Sequence, residues 1–211
     1  MLVVDGSLLF FVMAVPNEVF YLSTDQWRKT RPTISDILRT EKKYPFDYLD
    51  ARKLCGKLNR ILQPDPHCAG TDGYLVRSLY FDSYDNEDYF DKAAGLENRK
   101  KIRLRIYSPD DAFAKLEWKQ KQGAAQRKRS MTVSRDHAQR MAQGSYSCLL
   151  EYDDPLAKQF YSVMRSRAYL PRSIVEYRRY AFALAANDTR ITLDSRLRAC
   201  EASSAPFSQE L

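Results

Sequence analysis

The sequence predicts an α+β fold: an antiparallel β barrel with an ionic lumen and helices packed outside. Three observations predict it. About seven segments of strand-like composition follow one another with short turn signals between them, as in an antiparallel meander. Five segments repeat one design, a charged face backed by apolar residues, with both signs on that face in "RTEKKY", "LEWKQK" and "RITLDS", because alternate side chains of a strand share a face. Amphipathic helices are at hand to cover the apolar faces, and if they coat the outside of a curled sheet, the charged faces line its interior. A solvated outer face would also be charged. Two features speak for an interior: the preference for Arg, whose planar fork suits oxyanions, and the bulk of the Ile, Leu and Trp residues opposite.

In chain order, residues 1–38 share no pattern with the rest of the chain and read as an appendage. Their apolar run "SLLFFVMAV" is far too short to span a bilayer, and its flank, with Asp5 and no Lys or Arg, makes a poor signal peptide. A buried strand or a non-native upstream extension remain as readings of it. "RTEKKY" places Arg39, Glu41 and Lys43 on one strand face. From Leu49 the apolar residues Leu54, Leu58, Ile61 and Leu62 recur at helical spacing, with Asp47 or Asp50 as cap and "QPDP" as stop. "GYLVRSLYFDS" is rich in β-branched and aromatic residues and reads as a strand, followed by one or two helical turns in "YDNEDYFDKAAG".

Three dense strand signals come next, at Lys100 to Tyr107, Phe113 to Lys121 and Gln126 to Ser134, separated by "SPDD" and "QGAA" turns. In the first, Arg103 and Arg105 stand together against Ile102, Leu104 and Ile106; in the second, Lys115, Glu117, Lys119 and Lys121 stand against Leu116 and Trp118. A helix is expected near Asp136 to Gln143. A stronger one opens with Asp154 as cap and Pro155 at its first position, with Leu156, Phe160, Val163 and Met164 as its buried stripe. Two last strands, Ser173 to Leu184 and Arg190 to Ala199, meet at an "AND" turn. Tyr177 and Arg179 share a face of the first; Arg190, Thr192 and Asp194 share a face of the second.

The 211 residues carry Lys+Arg 34 against Asp+Glu 27, a net charge of +7, which favours an anionic partner. Nucleic acid is not expected, because the carboxylates interleaved among the cations would repel its backbone. Cys55, Cys68, Cys148 and Cys200 form no CxxC pair, so free thiols in a cytoplasmic setting are expected and zinc is not. No GxxxxGK[ST] loop, GxSxG elbow or Cys/His pair is present, which leaves nucleophilic catalysis by the protein unsupported. Many cations with a few carboxylates among them suit a phosphate chain plus an oxygen-ligated divalent metal.

"RTEKKY", "RSLYFDS", "YFDK", "RKKIRLRIY", "LEWKQK", "RKRSMTVS", "DDPLAKQFY", "VEYRRYAF" and "RITLDSRLRA", in this order and spacing, resemble the VTC domain of polyphosphate polymerases. That family belongs to the triphosphate tunnel superfamily, beside the CYTH-type phosphatases. The resemblance covers roughly Arg39 to Ala199 and sets the domain at 39–211. It implies an antiparallel tunnel that binds ATP or another triphosphate and polyphosphate, uses Mn²⁺ or Mg²⁺, and passes the γ-phosphoryl group to a growing chain. Position by position it implies catalytic roles for Arg103, Arg105, Lys119 and Arg179, substrate contacts at Lys43, Lys92, Arg129 and Tyr177, and metal contacts at Glu117, Glu41 and Asp194. Similar proteins continue into a final strand with a metal-binding Glu, so the tunnel is expected to lack its last strand and to have an open edge. A CYTH-like triphosphatase and a non-catalytic polyphosphate or anion-binding module are the alternatives.

Overall fold

The computed structural model describes residues 9–16, 35–68, 70, 72–123, 125–184, 189–202 and 206–209. Its centre is one antiparallel sheet of β1 (Leu9–Pro16), β2 (Ser35–Phe46), β3 (Gln63–Pro64), β4 (Tyr74–Asp82), β5 (Arg99–Ile106), β6 (Phe113–Gln122), β7 (Ala125–Ser134), β8 (Leu170–Leu184) and β9 (Thr189–Glu201). The strands pair in the order β3-β8-β4-β5-β6-β7-β2-β1-β9, and β9 pairs again with β8, so the ladder returns on itself. A closed ladder leaves no exposed edge of unpaired amides.

The wall beside the last strand departs from expectation. Instead of an open edge, β1 lies between β9 and β2, with Phe11 paired to Leu193 on one side and to Tyr44 on the other. The apolar run that reads as part of an appendage is therefore built into the barrel. The physical reason is that two strands, each with an unpaired side, gain a full ladder from an uncharged segment of high β-propensity. No residue of β1 is ionisable.

Inside and outside separate by strand parity. Leu79, Phe81, Ile102, Leu104, Ile106, Leu116, Met131, Val133 and Ile174 point outward into one buried core. Over them lie α3 (Arg135–Ala142), a 3₁₀ turn at Ser147–Glu151 and α4 (Pro155–Ser166), through Ala138, Met141, Leu149, Leu156, Phe160 and Met164. Burying such side chains contributes about 1.5–3 kcal/mol each, which is what holds the helices to the sheet. Asp154 caps α4 by accepting the Leu156 amide at 2.7 Å with Pro155 in the first turn, and Ser134 caps α3 through the His137 amide. A smaller core joins Ala51 and Leu58 of α1 (Tyr48–Ile61) to Phe182 and Leu193. The Asp47 cap of α1 accepts from the Asp50 amide.

Two local devices fix the frame. Gly73 enters β4 at φ 65°, and a Cβ there would stand 2.1 Å from the Arg179 carbonyl oxygen, so only glycine lets β4 meet β8 at that point. On the outer face, buried Arg77 donates to Glu176 Oε2 at 2.7 Å and to the carbonyls of Pro206 and Ser208, which pins the chain near its C-terminal end to the barrel. Among the described residues, all four cysteines are unpaired, and no helix is long and apolar enough to cross a membrane.

Candidate functional site: a cation-lined tunnel

The inward faces enclose a cavity of about 1300 Å³. Among the described residues it is lined by fifteen Lys or Arg side chains and three aspartates, Asp82, Asp88 and Asp194. Arg103, Arg105, Lys119, Tyr177, Arg179, Lys43, Lys92 and Asp194 all line it. Parity decides what the arginines of "RLR" face: the side of β5 opposite Ile102 and Leu104 is the lumen.

Glu117 sits beneath this lining, 1% exposed, directly across from Arg103 in the ladder. Its Oε2 accepts Arg103 Nε at 2.7 Å and lies 2.6 Å from Arg103 Nη2 and 3.8 Å from Arg105 Nη1. Its Oε1 is 2.5 Å from Lys128 Nζ. Burial would push this carboxyl up, yet Arg103, Arg105 and Lys128 outweigh burial and hold it well below the usual carboxylate range. One carboxylate thus gathers three cations into a cluster. Arg105 also donates to Ser78 Oγ and to the Tyr177 hydroxyl, each at 3.3 Å. Arg103 Nη1 donates to the Tyr80 hydroxyl at 2.8 Å. Burial alone would raise the Tyr80 phenol, but Arg103, Lys101 and Arg105 bring it down to about 7. Burial also lowers Lys101 and Lys128, the direction expected where cations crowd one another.

On the opposite wall, Arg179 forks onto Asp194, with Nε to Oδ1 and Nη2 to Oδ2 both at 2.6 Å. Arg190 Nη2 meets Asp65 Oδ2 at 2.5 Å and the Tyr74 hydroxyl at 2.9 Å. At the mouth, α2 (Glu87–Ala93) is held by Asp82, whose carboxylate accepts the amides of Ser83, Asp88 and Tyr89. Asp88 in turn pairs with Lys100 at 2.9 Å and accepts from the Tyr169 hydroxyl.

One sequence expectation is corrected. Arg129 does not reach the lumen. It lies across from Trp118 on the outer face, 4.3 Å from that ring's centroid, and donates to Gln159 of α4 and Gln120. From "RKRS" it is Arg127 and Lys128 that line the cavity, and counting alternately back from the outward Met131 and Val133 finds Lys128. Of the expected metal contacts, Glu117 and Asp194 are held by the protein's own cations. Glu117 is enclosed by three cations and Asp194 by a guanidinium, and no group of three His, Cys, Asp or Glu suited to a metal occurs among the described residues. The side chain of Glu41, in register with Ala14, lies outside the described residues. Among the described residues, the donor set does not fit a preformed site for a divalent cation. Tyr80, Lys101 and Lys128 are lumen residues that the sequence reading missed, although each lies on the lumen side by the same alternation.

The fold and this lining define a cation-lined antiparallel barrel, a closed sheet with cations inside and helices outside. The model of the VTC domain family matches residues 38–210, and the chain belongs to that family. No curated protein matches the chain. Among solved structures, a candidate adenylate cyclase from Bacillus halodurans is similar with 13% identity and a TM-score of 0.43, over 77% of this chain and 79% of that one. A candidate adenylyl cyclase from Hippeastrum, described as having a dominant triphosphatase activity, is similar with 10% identity and a TM-score of 0.43, over 93% and 80% of the two chains.

Proposed function

We propose that the tunnel binds a nucleoside triphosphate and a polyphosphate chain and transfers the terminal phosphoryl group from the first to the second. The observation that carries this reading is the excess of fifteen lining cations over three lining aspartates. At about one negative charge per phosphate group, one triphosphate cannot neutralise such a surface, whereas a triphosphate with a longer chain can. Phosphoryl transfer asks little covalent chemistry of a protein, so positioning and charge stabilisation carry the rate. Arg103, held rigid by Glu117 and Tyr80, and Arg105, held by Ser78 and Tyr177, would grip non-bridging oxygens with preorganised donors. Lys119 and Lys43 supply further cations on the same lumen. Because Glu117 and Asp194 are engaged by the protein's own cations, a Mn²⁺ or Mg²⁺ ion is assigned to the substrate, arriving already bound to the phosphates.

The test incubates the purified chain with ATP, Mn²⁺ and a short polyphosphate primer and resolves polymer from free phosphate. Lengthened polymer supports the proposal. Free phosphate alone would make the protein a triphosphatase with water as acceptor, and binding without turnover would make it a polyphosphate-binding module. Arg103→Ala or Arg105→Ala is expected to weaken triphosphate binding by ~1.5–3 kcal/mol, the worth of a hydrogen bond to a charged group. Unchanged titrations of both variants would reject the lumen as the binding site.

A further inference from the structure

The lumen contains a tyrosine whose hydroxyl is bound into the cation cluster. Tyr80 of β4 lies across from Arg103 of β5 and from Ser173 of β8, and it lines the cavity. Its oxygen accepts Arg103 Nη1 at 2.8 Å, and the same guanidinium stands 5.7 Å from the ring centroid. Among the described residues, no protein group accepts the hydrogen of that hydroxyl. When protonated, an oxygen that receives a guanidinium on one side has one hydrogen to give on the other, and the cavity is where a phosphate would take it.

We infer that Tyr80 is the proton-carrying contact of the tunnel: it takes up one proton as a phosphate chain binds and donates the resulting hydroxyl to a phosphate oxygen. The inference rests on the phosphate-binding reading of the tunnel. In the ligand-free protein, Lys101, Arg103 and Arg105 face the phenol from β5 and favour its ionised form near neutral pH. Glu117 of β6 meets it through Arg103 and Arg105. Tyr177 of β8 meets it through Arg105 and Arg103, and Lys43 of β2 and Lys92 of α2 act on Lys101. Bound phosphates spend that positive field on their own oxygens, so the phenolate loses its support and would stand as one more anion against the ligand. A proton from solvent then joins the Tyr80 oxygen and no other bond changes. The site becomes a donor where a donor is wanted.

The test has a part that needs no ligand. The free protein is titrated from pH 6 to 9 while the near-ultraviolet absorbance of tyrosinate is followed, with Tyr80→Phe as the blank. With the phenol titrating at about 7, about nine-tenths of one tyrosine should be ionised at pH 8. No tyrosinate at that pH would overturn the inference by itself, whatever the tunnel binds. Inorganic tripolyphosphate is then added in buffers of different ionisation heat. Wild type should lose the tyrosinate band and take up about one proton more than the Phe variant. The ratio of wild-type to Phe-variant affinity should exceed one at pH 6 and fall ~tenfold per unit above pH 7. A ratio constant with pH would overturn the inference while leaving phosphate binding intact. Failure of either protein to bind tripolyphosphate would instead remove the reading beneath it.

Discussion

Replacing Glu117 by Gln removes one negative charge and almost no volume, and it tests what that carboxylate is for. In the structure it lies 2.6 Å from Arg103, 2.5 Å from Lys128 and 3.8 Å from Arg105, with 1% exposure. Taking away one partner of a buried ion pair costs about 3–5 kcal/mol, because the charges left behind remain desolvated and here also repel one another. For a domain of this size each kcal/mol moves the melting point by about 2–4 °C, so Glu117→Gln should melt roughly 6–20 °C below wild type. Tripolyphosphate should close much of that gap, because it returns negative charge to the three stranded cations. The ligand-induced rise in melting temperature is therefore expected to be larger for the variant than for wild type. Thermal denaturation at pH 7, with and without tripolyphosphate and without any divalent metal, reads both quantities. A variant that melts with wild type, and whose only defect is a changed Mn²⁺ requirement, would refute the counter-ion role and restore Glu117 as a metal ligand.

Parity gives a paired expectation in "RKRS". Lys128→Ala should weaken tripolyphosphate binding several-fold, while Arg129→Ala should leave the affinity within about twofold and lower the melting temperature through its lost stacking on Trp118 and its lost bonds to Gln159 and Gln120; calorimetric titration and thermal melts decide it, and the reverse pattern would reverse the face assignment. Gly73→Ala should destabilise the fold by more than the ~1 kcal/mol of a positive-φ penalty alone, because its Cβ meets the Arg179 carbonyl at 2.1 Å. Chemical denaturation measures this, and a variant as stable as wild type would show that β4 and β8 part there at no cost.

How far the sequence carried can be traced residue by residue. The alternation in "KIRLRI" and "KLEWKQK" placed Ile102, Leu104, Leu116 and Trp118 under helices and Arg103, Arg105 and Lys119 in the cavity, since a two-residue period needs no tertiary knowledge. The cap and stripe of α4 were legible for the same reason: Asp154, Pro155 and the apolar spacing are local signals. What a carboxylate in such a strand does was not legible. Glu117 stands among lysines in its own strand, and only the pairing of β5 with β6 brings Arg103 opposite it and turns a metal-like signal into an ion-pair hub. Arg129 was misplaced because three basic residues in a row hide the parity until it is anchored on Met131 and Val133. The role of β1 was hidden too, for an apolar run without charged alternation names no partner strand.

The placement of the acidic residues says where along this wall a phosphate chain would lie. Ten of the fifteen lining cations come from β5, β6 and β7, and the only acidic residue in those three strands is Glu117. Across the cavity Arg179 has Asp194 and Arg190 has Asp65, each at 2.6 Å or less, so much of the positive field from β8 and β9 is cancelled where it arises. The strand between β9 and β2 adds no ionisable group at all. The field across the tunnel is therefore lopsided, strong over β5–β7 and weak over β9 and β1. A polyanion that neutralised the lumen evenly would lie at its centre; in this barrel the uneven distribution of cations would draw it toward the β5–β7 wall, where Glu117 sets the spacing of the Arg103 and Arg105 guanidinium groups. One buried carboxylate thus does two things. It makes a dense row of cations foldable, and it leaves that row with a net positive charge.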